Sequence, residues 1–477
     1  MNKLVKNTAI YSIGQILPQA AGFILLPIYT RFLTPADYGI VSLMAVLQTI
    51  LAIFFTLCLD RSVVRLYWDY KTENDKKDFF GTITISIAAL SFVSLFLLFI
   101  FNNYVGLIYK SIDFYPFYAY AILSSFIGVF SLVPKNYLML KEKAGAFITL
   151  SLLQFVLGAC FTLYFITVSK EGAIGYLKGS LFSAIIMLPI FILISIKICN
   201  LKFKYRIFKS AFSFSLPIVP AIMTAWVLDL SDRVFIERYF TLGDVGIYSM
   251  GYKIAGLVVL FTGSFGLAYD PVFFKLANSN DQTIAREKIF KYNNLYLIVV
   301  VFICFIISFF SKEVIILLLD ERYKDAYYFV PLIAFSYLFS QAGGITSRFF
   351  QQSKKMKANM YISISAAIIN IALNFLLIPP LGSYGAAYAT IISMAIPWFI
   401  SYFFCKKHCY FVPINWKKIV LLTVFLILIF LFFQYILNIL NLDIISSLLI
   451  KILLVGGIGL FFMKKYYSQI RAIFIKV

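Results

Sequence analysis

Apolar blocks of roughly 20 residues recur about every 34 residues along this chain, and that recurrence limits its fold more than any other feature. Such a block, coiled at about 1.5 Å per residue, crosses about 30 Å of hydrocarbon. Inside lipid every backbone donor and acceptor needs a partner within the protein. At this block length only a helix supplies one, because barrel strands would be about half as long and would alternate polar with apolar. Blocks begin near Thr8, Gly39, Phe80, Pro116, Phe147, Ala173, Ala211, Gly246, Asn294, Ala326, Ala358, Gly385, Ile419 and Ile444, so the expected fold is an all-α integral membrane bundle of about fourteen spans. Hydrophobic residues make up 62% of the chain and charged ones 13%, more apolar surface than a soluble core could bury. The connections between blocks are too short for a folded soluble domain.

The net charge of +21 would suit nucleic acid if the charges were clustered, but they alternate by side. With the N-terminus in the cytoplasm, about 31 lysines and arginines fall on inward segments and about 8 on outward ones. This bias is expected for a bacterial cytoplasmic-membrane protein with both termini inside, and the excess charge then faces anionic lipid headgroups; no nucleic-acid partner is expected. Lys3 and Lys6 ahead of an apolar run imitate a signal peptide, yet the run is too long and thirteen more blocks follow. The six cysteines lie in or beside spans, or on the inward side, which argues against a disulfide framework. His408, between Cys405 and Cys409, offers an incomplete ligand set, so no metal is expected.

Internal repeats turn the row of helices into an architecture. RFLTPADYGIVS, from Arg31 to Ser42, matches RYFTLGDVGIYS, from Arg238 to Ser249, at an offset of 207. KEKAGAFITLS from Lys141 matches KMKANMYISIS from Lys355, and GAIG at Gly172 faces GSYG at Gly382. An offset near 210 residues covers six spans, an even number, so both copies cross the membrane in the same sense. Two parallel-repeat lobes are predicted, residues 1–205 and 206–410, with 411–477 adding a helix pair without counterpart. Parallel repeats place a substrate path between the halves near the midplane.

An ionisable group at the bilayer centre costs about 2.5 to 3.5 kcal/mol on insertion scales, so each one present needs a reason. Asp229, Asp232 and Arg233 share one face at the outer end of the seventh span, as an interfacial ion pair or a gating group. Lys178 and Lys253 sit within spans and can snorkel outward or face a cavity, whereas Lys451 in the final span reads as a headgroup contact. Gln15 and Gln19, Gln341, and Asn370 with Asn374 can line a wet path or bond neighbouring helices, and the packing reading is the simpler one. At the inward mouth Arg61, Arg65 and Arg348 suit collection of phosphate, or set topology alone.

The stretches LSDRVFIERYFTLGDVGIYSMGYKIAG from Leu230, LLPIYTRFLTPADYGI from Leu25 and NFLLIPPLGSYGAAYAT from Asn374 resemble the O-antigen and capsule repeat-unit flippases of polysaccharide biosynthesis. That family belongs to the multidrug/oligosaccharidyl-lipid/polysaccharide (MOP) exporter superfamily. The resemblance spans essentially the whole chain. It implies MATE-like six-helix lobes, alternating access and an undecaprenyl-pyrophosphate-linked glycan as cargo, and it sets Asp232, Arg233, Gly246, Tyr248 and Lys253 in the family's signature. Lipid II flippases of the superfamily carry arginines within their first helices; here glutamines occupy those spans, which argues against lipid II. Polymerase and chain-length machinery are the implied partners, and H+ or Na+ coupling would fall to Asp229 and Asp232. One rival is a cation-coupled multidrug antiporter, which needs a carboxylate deep in a bundle. Another is a membrane enzyme, a polymerase or ligase, which needs a large outward loop or an acidic metal pair. No phosphate loop couples ATP, and no cofactor is expected.

Overall fold

The computed structural model describes residues 22–440 and 443–475, and among them secondary structure is helical throughout. A short helix α1 (Leu26–Phe32) leads into α2 (Pro35–Thr56), and a second short helix α3 (Leu59–Leu66) follows. Then come α4 (Glu73–Ile100), α5 (Phe114–Leu140), α6 (Ala144–Val168), α7 (Gly172–Ile198) and α8 (Tyr205–Tyr239). Next are α9 (Leu242–Ala255), α10 (Leu257–Ala277), α11 (Gln282–Phe309), α12 (Ser311–Leu318) and α13 (Val330–Gln352). The series ends with α14 (Met356–Leu381), α15 (Ser383–His408), α16 (Trp416–Leu440) and α17 (Ile444–Ile475).

Among the described residues eleven helices are long and apolar enough to cross a membrane, or twelve if Glu321–Tyr328 and α13, bent by 44°, count as one span. Two further expected spans fall outside that count. The block at Thr8 begins outside the described residues, and the apolar part of α17 is the shorter stretch Ile444–Leu460. The other starts agree with the apolar blocks to within a few residues, except that charged residues prolong α4 and α11 by a few turns at their N-termini.

By contacts the chain parts into Met1–Gly246 and Ile247–Val477. In the first unit α2 packs on α4, α5, α7 and α8. The Trp226 indole N–H of α8 donates to the Val46 carbonyl of α2 at 3.2 Å, tying the seventh span to this unit. In the second unit α11 is the central helix, two-thirds buried along its apolar stretch, and it meets α10, α13 and α16. Helix α16 is only 11% buried and shows Leu421, Phe425, Leu428 and Phe432 outward, the surface a helix presents to lipid.

The repeat recurs in the backbone. Thr34 and Asp37 form a reciprocal cap at the start of α2: the Thr34 hydroxyl and N–H donate to the Asp37 carboxylate at 2.7 and 3.0 Å, and the Asp37 N–H donates back at 3.1 Å. Thr241 and Asp244 repeat this at α9 with 2.6, 3.1 and 3.2 Å. The two copies also touch. A Cβ on Gly39 would strike the Leu242 carbonyl oxygen, and one on Gly246 would strike that of Pro35. Both pairs obey the offset of 207. Gly172 and Gly382 begin α7 and α15 with φ of +57° and +59°, a conformation glycine enters without strain. Before α6 and α14 the structure refines the sequence register: the Lys143 N–H donates to the Leu138 carbonyl and Lys355 N–H to that of Phe350, pairing Lys143, not Lys141, with Lys355. Identities alone mislead there because both loops are lysine-rich.

Lys451 is a correction. It is fully buried, not at a headgroup: its ammonium donates to Glu313 Oε2 at 2.8 Å and to the Phe309 carbonyl at 2.7 Å, while the Ser447 hydroxyl donates to Glu313 Oε1 at 2.7 Å. The reason is that α12, a short helix after α11, brings Glu313 against α17. A charge that would otherwise cost several kcal/mol in lipid gains a partner and pins the last helix to the second unit.

Candidate functional site

In the second unit polar side chains converge where α10, α11 and α13 meet. Pro271 interrupts α10 beside Asp270, Tyr269 projects from the same turn, and Arg348 lies one turn before the end of α13. The Arg348 side chain is only 10% exposed; its Nε donates to Asp270 Oδ1 at 2.6 Å, and Asp270 is 51% exposed. The guanidinium sits 5.1 Å over the Tyr269 ring. The Tyr269 hydroxyl donates to Asn293 Oδ1 at 3.0 Å, and Asn293 is fully buried on α11. One turn on, the Tyr296 hydroxyl donates to Gln341 Oε1 at 2.5 Å, and its ring stacks on Phe265 at 4.3 Å. Arg348 Nη1 and Asn293 Nδ2 are buried and donate to no partner among the described residues. The arrangement therefore holds a desolvated positive charge with spare donors, a setting that attracts anions.

In the first unit Asp232 and Arg233 are buried in α8. Arg233 Nη1 donates to Asp232 Oδ1 at 3.0 Å and to the Asp229 carbonyl at 2.7 Å. One turn on, Glu237 is buried; its Oε1 accepts the Ser111 N–H at 2.7 Å, and its Oε2 has no partner among the described residues.

The other expected residues scatter. Lys178 donates to Glu171 at 2.6 Å, leaning toward its helix start, as a snorkelling lysine does. Arg61 and Arg65 are exposed at 66% and 60% and pair with Asp60 and Asp69 at 3.5 and 2.9 Å. Lys253 is half-buried in the last turn of α9. Asn370 and Asn374 form an amide ladder: Asn374 Nδ2 donates to Asn370 Oδ1, and Asn370 Nδ2 to the Ser393 hydroxyl, each at 3.0 Å. This ladder joins α14 to α15. Gln15 and Gln19 lie outside the described residues. Among the described residues no group of three His, Cys, Asp or Glu is placed to hold a metal ion.

Sequence reading missed Asp270, Asn293, Glu237 and the Glu313–Lys451 pair. Asp270 was legible as an acid within the apolar run GLAYDPVFF, but a span of ordinary length from Gly246 ends before it; the helix containing Gly246 stops at Ala255 and a second one, α10, carries the chain on to Ala277. Asn293 stood at the expected start of its span, where an amide draws no notice.

The sequence profile of the polysaccharide biosynthesis protein family matches residues 4–277, more than half of the 477. The MatE profile matches residues 217–376. The membrane protein MJ1068 of Methanocaldococcus jannaschii is 20% identical over 453 residues, covering 89% of this chain and 88% of that one. Capsular polysaccharide biosynthesis protein CapF of Staphylococcus aureus is 23% identical over 420 residues, covering 85% of this chain and all of its own length. Among solved structures, the lipid II flippase MurJ in an inward closed conformation aligns with a TM-score of 0.73 at 15% identity, covering 97% of this chain and 100% of that one. At that identity the likeness is one of fold. Repeat motifs, helix series and family match agree: the chain belongs to the polysaccharide biosynthesis protein family of the MOP exporter superfamily.

Proposed function

We propose that this protein is a flippase that carries an undecaprenyl-pyrophosphate-linked oligosaccharide, such as an O-antigen or capsule repeat unit, from the cytoplasmic to the outer leaflet by alternating access. It would do so in a bacterial inner membrane with both termini in the cytoplasm. The observation that carries the reading is the family match over residues 4–277. The relatives' names support it, capsular polysaccharide biosynthesis for CapF and lipid II flipping for MurJ. So does the physics of the cargo. A pyrophosphate with several sugars cannot enter hydrocarbon unaided, because an unpaired ion there costs tens of kcal/mol in the idealised limit. Buried Arg233 and Arg348, with the amides of Gln341, Asn370 and Asn374, are the groups that would replace its water, while the prenyl tail stays in lipid. Exposed Arg61 and Arg65 would gather the headgroup, and Lys178 and Lys253 would line its route. Asp229 and Asp232 are the candidate H+ or Na+ carriers, and the polymerase with its chain-length machinery would receive the product.

Deleting the gene tests this. Complete, unpolymerised lipid-linked units should accumulate on the cytoplasmic leaflet; accumulation on the outer leaflet would identify a polymerase or ligase instead. The MatE match over residues 217–376 favours a second reading, a cation-coupled multidrug antiporter. That reading requires drug sensitivity, rather than stalled glycan, in the deletion strain.

A further inference from the structure

The buried donors around Tyr269 set the second unit apart. Polar atoms enclosed in a protein are almost always paired, so those left over point to a ligand, ion or water. Two such donors, Arg348 Nη1 and Asn293 Nδ2, lie on either side of one tyrosine, whose ring lies under the guanidinium and whose hydroxyl engages the asparagine. A third, the Tyr410 hydroxyl, is also buried without a partner, and its ring meets Phe273, which touches Tyr269. The Arg286 guanidinium lies 5.1 Å over the Tyr410 ring. Within this cluster the carboxylate bonded to Arg348 is that of Asp270.

That carboxylate is half exposed while the arginine it holds is buried, so an incoming anion can take its place without uncovering the guanidinium. The planar fork of an arginine fits two oxygens of a phosphate at once, which a carboxamide or sugar hydroxyl cannot match. We infer that Arg348, Asn293 and Tyr269 form a phosphate-recognition site, and that Asp270 is its displaceable counter-ion, occupying the arginine until the phosphate of a lipid-linked substrate arrives. The inference rests on the flippase reading and assigns its headgroup contact to the second unit. Asp270 then keeps the site from holding any passing anion, since a ligand must outcompete a charge-assisted bond before it binds.

Full-length protein in nanodiscs, titrated with farnesyl pyrophosphate, farnesol, inorganic pyrophosphate and phosphatidylglycerol, tests the site. Arg348→Ala should weaken farnesyl pyrophosphate binding about tenfold or more while leaving farnesol unchanged. Asn293→Leu should weaken it less. Asp270→Asn should act in the opposite sense and tighten it several-fold, an outcome that misfolding cannot mimic. Equal weakening for inorganic pyrophosphate would make the site one for free phosphate, and for phosphatidylglycerol one for bulk lipid; either result overturns the substrate assignment. Unchanged pyrophosphate binding in Arg348→Ala, or weaker binding in Asp270→Asn, overturns the site itself. If Arg348→Ala binds normally and lipid-linked glycan still stalls inside the deletion strain, only the site is lost. If wild-type protein binds no prenyl pyrophosphate and no glycan stalls, the flippase reading fails too.

Discussion

Lys451 and Glu313 show how strongly one residue's cost depends on its partner. Each is buried, and each alone would be a charge stranded in the protein interior. Lys451→Ala or Glu313→Ala should lower stability in detergent by about 3–5 kcal/mol, whereas Lys451→Met combined with Glu313→Leu should recover most of it. Thermal unfolding of the three variants reads this directly; additive losses in the double variant would mean the pair is not coupled. Arg233 and Lys253 belong to the transport question instead. Arg233→Ala and Lys253→Ala should reduce glycan export while protein levels in the membrane stay normal, measured by surface polysaccharide against an immunoblot. Wild-type export in both would remove them from the pathway.

Among the elements, the start of α2 meets the start of α9 at backbone distance. Reciprocal glycines allow each helix to rest on a carbonyl of the other, with no side chain between. Gly39→Ala and Gly246→Ala place a methyl group where backbone already lies, so each should cost about 1–3 kcal/mol through overpacking. The double variant should lose less than the sum, because the first substitution already separates the helices. Unfolding midpoints compared across the three variants check that. The reciprocal caps at Thr34 and Thr241 are equivalent in geometry, so Thr34→Ala and Thr241→Ala should cost alike, about 1 kcal/mol each. Unequal losses would show that one copy has taken on a further role.

For the whole molecule, the flippase reading has an electrical consequence. Two negative charges carried outward gain about 4.6 kcal/mol per 100 mV of inside-negative potential. Collapsing the potential in vesicles with valinomycin and potassium should slow glycan flipping at constant pH gradient; an unchanged rate would mean that the moving charge is neutralised by a co-transported cation. The fold itself was largely legible from the chain. Periodic apolar blocks located nearly every span because a membrane helix needs a run of about 20 apolar residues wherever it packs. The Thr34–Asp37 and Thr241–Asp244 motifs marked the repeat because a cap is built from residues three apart, whose geometry sequence spacing dictates.

The sequence by itself determined what depends on neighbours along the chain: helix positions and the Thr–Asp repeat at Thr34–Asp37 and Thr241–Asp244. The tertiary structure alone decided which charges meet. Arg348 and Asp270 are 78 residues apart, and Lys451 and Glu313 are 138 apart. No local pattern encodes a pairing at that distance, because it depends on how helices turn about their axes when they pack. Burial of a charge is unfavourable or harmless according to that rotation, and only the packed bundle supplies it.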